Sequence, residues 1–202
     1  LKNLGFAPSY VQLLRTTRSA IKSTDPGARI MIGSMTNLAW ASLKLIYASG
    51  GKGTFDVMAA NIFSKSPANL PSAVRQIRGT LSANGDSKIP YSVTEYSWSS
   101  SLGSISTKVH MGFLLTNQTN QAKNLTSAMG SFVSSRSSLK LESAYWYNWS
   151  GSDLGSDVWD YAGLRRARSG VMSNKSSLAA FKKKALSAEG CAAKIVADSC
   201  SR

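Results

Sequence analysis

Pro90-Tyr91-Ser92-Val93-Thr94-Glu95-Tyr96-Ser97-Trp98 is the stretch on which the fold of this chain turns. Ile89, Tyr91 and Val93 alternate with smaller or polar neighbours, the period-2 pattern of a strand. Pro90 stands at its start, where a missing N–H costs least. Glu95 falls where the strand gives way to Tyr96–Gly103, a loop rich in serine and aromatics. A carboxylate at the C-terminal mouth of a strand, flanked by Tyr96 and Trp98, is placed to meet a ligand with polar groups and apolar faces. A solvent-facing or helix-capping glutamate has the same local signature.

Upstream of this strand the sequence alternates helical and extended patterns. Pro8 to Thr24 predicts a helix with Tyr10, Leu13, Leu14, Ala20 and Ile21 on one face, stopped by Asp25-Pro26-Gly27. Arg29–Gly33 predicts a strand covered on both faces. Ser34–Asn37 is a loop, and Leu38 to Ala48 a helix with Trp40, Leu43, Ile46 and Tyr47 inward. Gly50–Gly53 precedes a strand, Phe55–Ala60, rather than a helix, which argues against a phosphate cradle. The polar loop Asn61–Asn69 leads to a helix, Leu70 to Asn84, with Val74, Ile77 and Leu81 inward and Arg75 and Arg78 outward.

Downstream, about Asn117 to Arg136 predicts a helix with Ala122, Leu125, Met129, Phe132 and Val133 inward. Leu139 to Trp149 predicts a strand, Ser150–Asp160 a loop and Ser176 to Ala188 the last helix. Helices that alternate with strands imply parallel pairing, met both in doubly wound sheets and in (β/α)8 barrels. Polar or aromatic clusters follow each strand's C-terminal end, at Ser34–Asn37, Asn61–Ser66, Glu95–Trp98 and Asn148–Asp153. Both architectures place ligands there.

The chain has 202 residues, 43% of them hydrophobic, enough for one domain with a core. No run approaches the ~18 apolar residues of a membrane span. The N-terminus, Leu1-Lys2-Asn3-Leu4, reads as a start in mid-protein. Against 10 acidic residues stand 24 basic ones, a formal charge of +14 that favours anionic neighbours: nucleic acid, an anionic envelope or acidic polysaccharide. The basic clusters, Arg165-Arg166-Ala167-Arg168 and Lys182–Lys184, read as solvated helical faces, and no nucleic-acid-binding signature accompanies them. Nucleic acid is therefore not the expected partner. Cys191 and Cys200 have no ligand-spaced neighbours and read as a disulfide closing the tail, a pointer to a secreted or cell-envelope protein. Asn117, Asn124, Asn148 and Asn174 begin glycosylation tripeptides of the kind that Ser/Thr-rich sequence yields by chance.

Val93-Thr94-Glu95-Tyr96-Ser97-Trp98 resembles the strand-seven signature of clan A retaining glycoside hydrolases, the cellulase- and β-xylosidase-like barrels. Ala20–Gly33 resembles the fourth helix and fifth strand of those enzymes, and Phe55–Phe63 the sixth strand and its loop. Tyr145–Trp149 with Trp159–Arg165 resembles the eighth strand and the segment after it. The resemblance implies an α/β fold, strands five to eight of a (β/α)8 barrel in residues 1–188, with a cysteine-containing tail at 189–202. It implies a hydrolase of O-glycosyl bonds with Glu95 as nucleophile, a carbohydrate substrate and no cofactor. The family's acid/base lies in an Asn-Glu pair after strand four, which this chain lacks and which is expected upstream of Leu1.

Where relatives offer His and Tyr after strand six, this chain has Asn61 and Phe63. Asn61 can still bond a sugar or carboxylate, whereas Phe63 cannot. That departure favours a second reading, a non-catalytic carbohydrate-binding relative. Trp146 and Trp149 are the candidate sugar platforms, and their spacing along a strand sends one of them to the core. Trp146 matches the family's strand-eight tryptophan and is the expected contact. His110 is expected to be a partly buried polar residue rather than a subsite. Glu142 and Asp153, the other carboxylates around the last strand, are expected to tolerate amide substitution.

Overall fold

The computed structural model describes residues 5–36 and 38–191. It is a mixed α/β protein whose contacts divide it into two units. The first comprises Leu1–Ile62, Pro71–Thr94 and Arg136–Ala144, and the second Phe63–Leu70, Glu95–Ser135 and Tyr145–Arg202. No helix among the described residues is long and apolar enough to cross a membrane.

The principal sheet has the order β1 (Met58–Asn61), β2 (Tyr91–Tyr96), β3 (Leu141–Trp146). Tyr91 N donates to Lys140 O at one end of the β2/β3 pair, and Tyr147 N to Tyr96 O at the other, so these strands run parallel. The strand expected at Arg29–Gly33 is present only as two parallel bridges onto β1 and its approach, Met31 with Val57 and Met35 with Ala60. Between the two bridges the register slips by one residue, and Gly33 lies in that bulge with its N–H bonded to the Tyr10 hydroxyl at 2.8 Å, on the side away from β1. The succession of regular strands is thus weaker than the sequence implied. Among the described residues the strands close no barrel.

In the first unit, α1 (Phe6–Thr24) buries Ala7, Val11 and Leu14, a face rotated from the expected one, and leaves Leu13 and Ile21 exposed. The rotation is fixed by polar anchors. Arg18 donates to Asp56 Oδ2 at 2.7 Å, and the Tyr10 hydroxyl meets Gly33. Asp56 also accepts from Ile30 N at 2.9 Å, and with the Arg18 guanidinium beside it the carboxyl is held below its usual range. Helix α2 (Ala39–Ala48) buries Leu43 and Ile46, as its period requires. Along α3 (Leu70–Ala83), Val74, Ile77 and Leu81 are fully buried as expected. Arg78, read as outward, instead gives its guanidinium to the carbonyls of Ile89 and Ser87 and so ties down the entry to β2.

In the second unit, α4 (Gln118–Ser134) packs on α6 (Ser176–Ala188). Its buried residues are Gln121, Leu125, Ala128 and Phe132, while Val133, expected inward, is 49% exposed. Asn117 caps α4 by accepting from Asn120 N at 2.8 Å, so this member of the glycosylation tripeptides is committed to the backbone. Back in the first unit, the short helix α5 (Arg136–Leu139) occupies the start of the strand expected from Leu139.

A second sheet departs from the expected pattern: β4 (Ser150–Gly151) pairs in parallel with β5 (Arg165–Arg168), which pairs antiparallel with β6 (Val171–Asn174). The basic run Arg165–Arg168 therefore lies on a strand, not a helical face. Ser169 (φ 48°) and Gly170 (φ 78°) make the two-residue hairpin turn between β5 and β6. The Ser-Gly dipeptide is the sequence signal for it.

Candidate functional site

In the first unit, the C-terminal ends of three neighbouring chain segments are joined by hydroxyl and amide groups. Ser34 Oγ donates to Thr94 Oγ1 at 2.7 Å, and Thr94 Oγ1 donates to Asn61 Oδ1 at 2.8 Å. Asn61 is half-buried and this bond uses its carbonyl side. Parallel strands bring their C-terminal ends to one edge, which is how loops far apart in sequence come to share one polar row. Closer to the strand starts, Ser92 Oγ lies 2.7 Å from Ser143 Oγ, and Arg29 pairs with Glu142 at 2.8 Å. Glu142 is thus an ion-pair partner on an exposed face.

In the second unit, Glu95 is half-buried near the C-terminal end of β2. Tyr91, Ser92 and Val93 are all buried and Thr94 and Glu95 both half-buried, so β2 is covered on both faces at its start and opens only toward its end, without the alternation its sequence implied. Tyr96 and Trp98, expected beside a ligand, are core residues, each 1% exposed. The Tyr96 ring meets Phe132 at 5.1 Å and Trp146 at 5.5 Å, both edge-on, and burial pushes its hydroxyl up, well above the usual phenol range. Trp98 lies 6.2 Å from Trp146, and its indole N–H donates to Lys65 O at 3.3 Å.

The two candidate platforms divide as the spacing requires, but in the reverse of the expected sense. Trp146 is 9% exposed and its Nε1–H donates to Ala162 O at 3.0 Å. Trp149 is 55% exposed, with the Arg165 guanidinium 5.8 Å from its ring centroid. Phe63 is half-buried and packs on Trp159 at 4.9 Å, and Trp159 in turn meets Tyr147 edge-on at 5.3 Å. Sequence reasoning passes over Trp159 and Tyr147 as site residues, although Trp159 opens a Trp-Asp-Tyr run after a polar loop. His110 is exposed rather than partly buried.

Two side chains fix the loops of this unit. Gln121, fully buried on α4, donates through Nε2 to Trp98 O at 2.7 Å and to Tyr161 O at 3.1 Å. Lys175 Nζ reaches Ser100 Oγ at 2.7 Å, Tyr161 O at 2.8 Å and Asp153 Oδ1 at 3.1 Å. Asp153 also accepts from Arg166 Nε at 2.8 Å. Burial pulls the Lys175 ammonium below its ordinary pKa, and Asp153 works against that loss. Neither anchor is visible in the sequence, where Gln121 and Lys175 have the look of ordinary surface residues. Cys191 is buried, and its expected partner, Cys200, lies outside the described residues.

No protein-family model matches the chain, and no curated protein matches it in sequence. Its fold is similar to that of a monomeric β-xylosidase from Caulobacter crescentus CB15, with a TM-score of 0.55 at 18% identity over 88% of this chain. A glucosidase from Croceicoccus marinus is similar at a TM-score of 0.53 and 11% identity over 79% of this chain. The chain spans 37% of the length of the first of these structures and 32% of the second.

Proposed function

We propose that this chain carries strands five to eight of the (β/α)8 barrel of a clan A retaining glycoside hydrolase, with Glu95 as its nucleophile. The observation that carries the reading is that neighbours follow one another in chain order, the bridged segment Met31–Met35, then β1, β2 and β3, with β2 and β3 parallel and Glu95 near the end of β2. Right-handed crossovers that always step to the next neighbour never reverse direction, whereas a doubly wound sheet must reverse at its switch point. The structural likeness to a β-xylosidase and a glucosidase supports the same reading.

In this reading the Glu95 carboxylate attacks the anomeric carbon and the glycosidic C–O bond breaks. The leaving oxygen takes a proton from an acid outside these 202 residues. Water then attacks the same carbon, its proton passing to that residue now acting as base, and the bond to Glu95 breaks to free the sugar and the carboxylate. The half-buried Asn61 has amide N–H groups to offer a sugar hydroxyl. The exposures favour Trp149 over Trp146 as the ring on which a pyranose stacks, with Trp146 supporting the loop from below through its bond to Ala162. The protein would be exported, with Cys191 and Cys200 bridged. Mass spectrometry of non-reduced peptides reads that bridge directly, and two free thiols would remove the case for export.

A non-catalytic carbohydrate-binding protein is the second reading, and Phe63 favours it, since its ring packs on Trp159 and brings no hydroxyl to a sugar. One experiment separates the two. In a longer protein that includes the strands upstream of Leu1, aryl-glycoside hydrolysis should be abolished by Glu95→Gln while glycan binding survives. Glycan binding without hydrolysis in the parent itself would select the second reading.

A further inference from the structure

We infer that Trp149 and Arg165 form a binding site for an anionic glycan, a sugar chain bearing carboxylates. The inference rests on the carbohydrate reading above and names its ligand class. Trp149 directly precedes β4 and Arg165 opens β5, and Arg165 N donates to Trp149 O at 3.0 Å. The backbone therefore holds the two residues together before any ligand arrives, with the guanidinium over one part of the indole, 5.8 Å from the ring centroid, and the indole still 55% exposed. Arg165 is braced a second time, because its Nε donates to Asn174 Oδ1 across the hairpin at 3.0 Å. A guanidinium held at Nε keeps its terminal N–H groups for a fork-like grip on a carboxylate.

The neighbouring cations explain why the ligand class is a uronate-type sugar rather than nucleic acid. Arg166 is paired with Asp153 at 2.8 Å, and Arg168 donates to the carbonyls of Ser152 and Asp153. Arg165 therefore keeps its charge free of any acidic partner among the described residues. A phosphate backbone is tracked by several available cations in a row. Here one indole stands beside one guanidinium, which matches one pyranose ring bearing one carboxylate. The formal charge of +14 draws such a polyanion toward the surface.

Calorimetric titration of the full chain with a short oligogalacturonate and with its carboxyl-reduced counterpart tests this. The acidic sugar should bind about tenfold more tightly than the reduced one. Trp149→Ala should weaken both, and Arg165→Gln should weaken only the acidic sugar and erase the preference. Arg165→Lys, which keeps charge without the fork, should recover part of it. Circular dichroism and the melting temperature identify any variant that has lost its fold. Equal affinity of the native chain for the two sugars, or native-like preference in folded Arg165→Gln, overturns the inference. So does binding of single-stranded oligothymidylate as tightly as oligogalacturonate, both vanishing alike with salt. Neutral sugar bound without acidic preference overturns this inference alone. No binding of either sugar, joined to no hydrolysis by the longer parent, overturns the carbohydrate reading as well.

Discussion

Lys175 Nζ lies 3.1 Å from Asp153 Oδ1, and the two side chains are 1% and 4% exposed. Asp153 sits at φ 50°, a left-handed conformation that its place between Lys175 and Arg166 maintains. The pair gives Asp153 a structural role, separate from whatever an amide there does to turnover. Asp153→Asn strands a buried ammonium and should destabilise the protein by about 3–5 kcal/mol. Urea unfolding monitored by tryptophan fluorescence measures it, and a loss under about 1 kcal/mol, the range of a surface pair, would refute the role given to this ion pair.

The same lysine sets a pH dependence. Burial lowers its native pKa below the 10.5 of the unfolded chain, so between the two values the unfolded state holds more protons. The Lys175 contribution to stability should therefore rise with pH in that window below 10.5, and its burial penalty is fully present beneath the window. Melting temperatures across alkaline pH, with Lys175→Met as the reference lacking this slope, check the sign.

Tyr91 and Tyr96 act in the opposite direction. Burial raises both phenols far above the 10.0 of an exposed tyrosine, so above that pH the unfolded chain loses protons that the native one keeps. Stability should fall as pH rises past 10.0. Neither hydroxyl has a hydrogen-bond partner among the described residues. Tyr91→Phe and Tyr96→Phe should hence be neutral or stabilise by up to about 1–2 kcal/mol, and should move alkaline unfolding to higher pH. A loss above that size in either variant would show that its hydroxyl is bonded after all.

Glu142 is the control for Glu95. It pairs with Arg29 on an exposed face, so Glu142→Gln should cost under about 1 kcal/mol and leave turnover of the longer protein intact. Glu95→Gln should remove several orders of magnitude of rate, at about 1.4 kcal/mol of barrier per tenfold. Equal rates for the two variants would dismiss Glu95 as nucleophile.

Gly163 and Gly151 approach each other backbone to backbone. A Cβ on Gly163 would overlap Gly151 N and Ser150 C, and one on Gly151 would overlap Asp160 O. Gly163→Ala should cost about 3 kcal/mol or more, because backbone cannot move aside as a flexible side chain can. Gly170, at φ 78° in the hairpin turn, has open space around it, and Gly170→Ala should cost only about 1–2 kcal/mol. Thermal unfolding of the pair gives the ranking, and a reversed order would remove the close approach as the feature that seats β4 beside β5.

What the sequence determined by itself was local and periodic. Leu43 and Ile46 on α2, and Val74, Ile77 and Leu81 on α3, are buried because 3.6-residue spacing turns them to one side whatever lies opposite. The strand at Tyr91–Tyr96 and the alternation of helix and strand followed from patterns equally short in range. The resemblance around Glu95 added a fold whose likeness to two glycosidase structures appears at 18% and 11% identity. Which tryptophan is buried was not available from spacing, which says that Trp146 and Trp149 face apart but not which face meets Tyr96 and Ala162. The face of α1 was decided by Asp56 and Gly33, and the state of Arg165–Arg168 by a turn and an acid at Asp153. These partners are distant in sequence, and a side chain's environment is set by what packs against it. Only the tertiary structure brings those partners together.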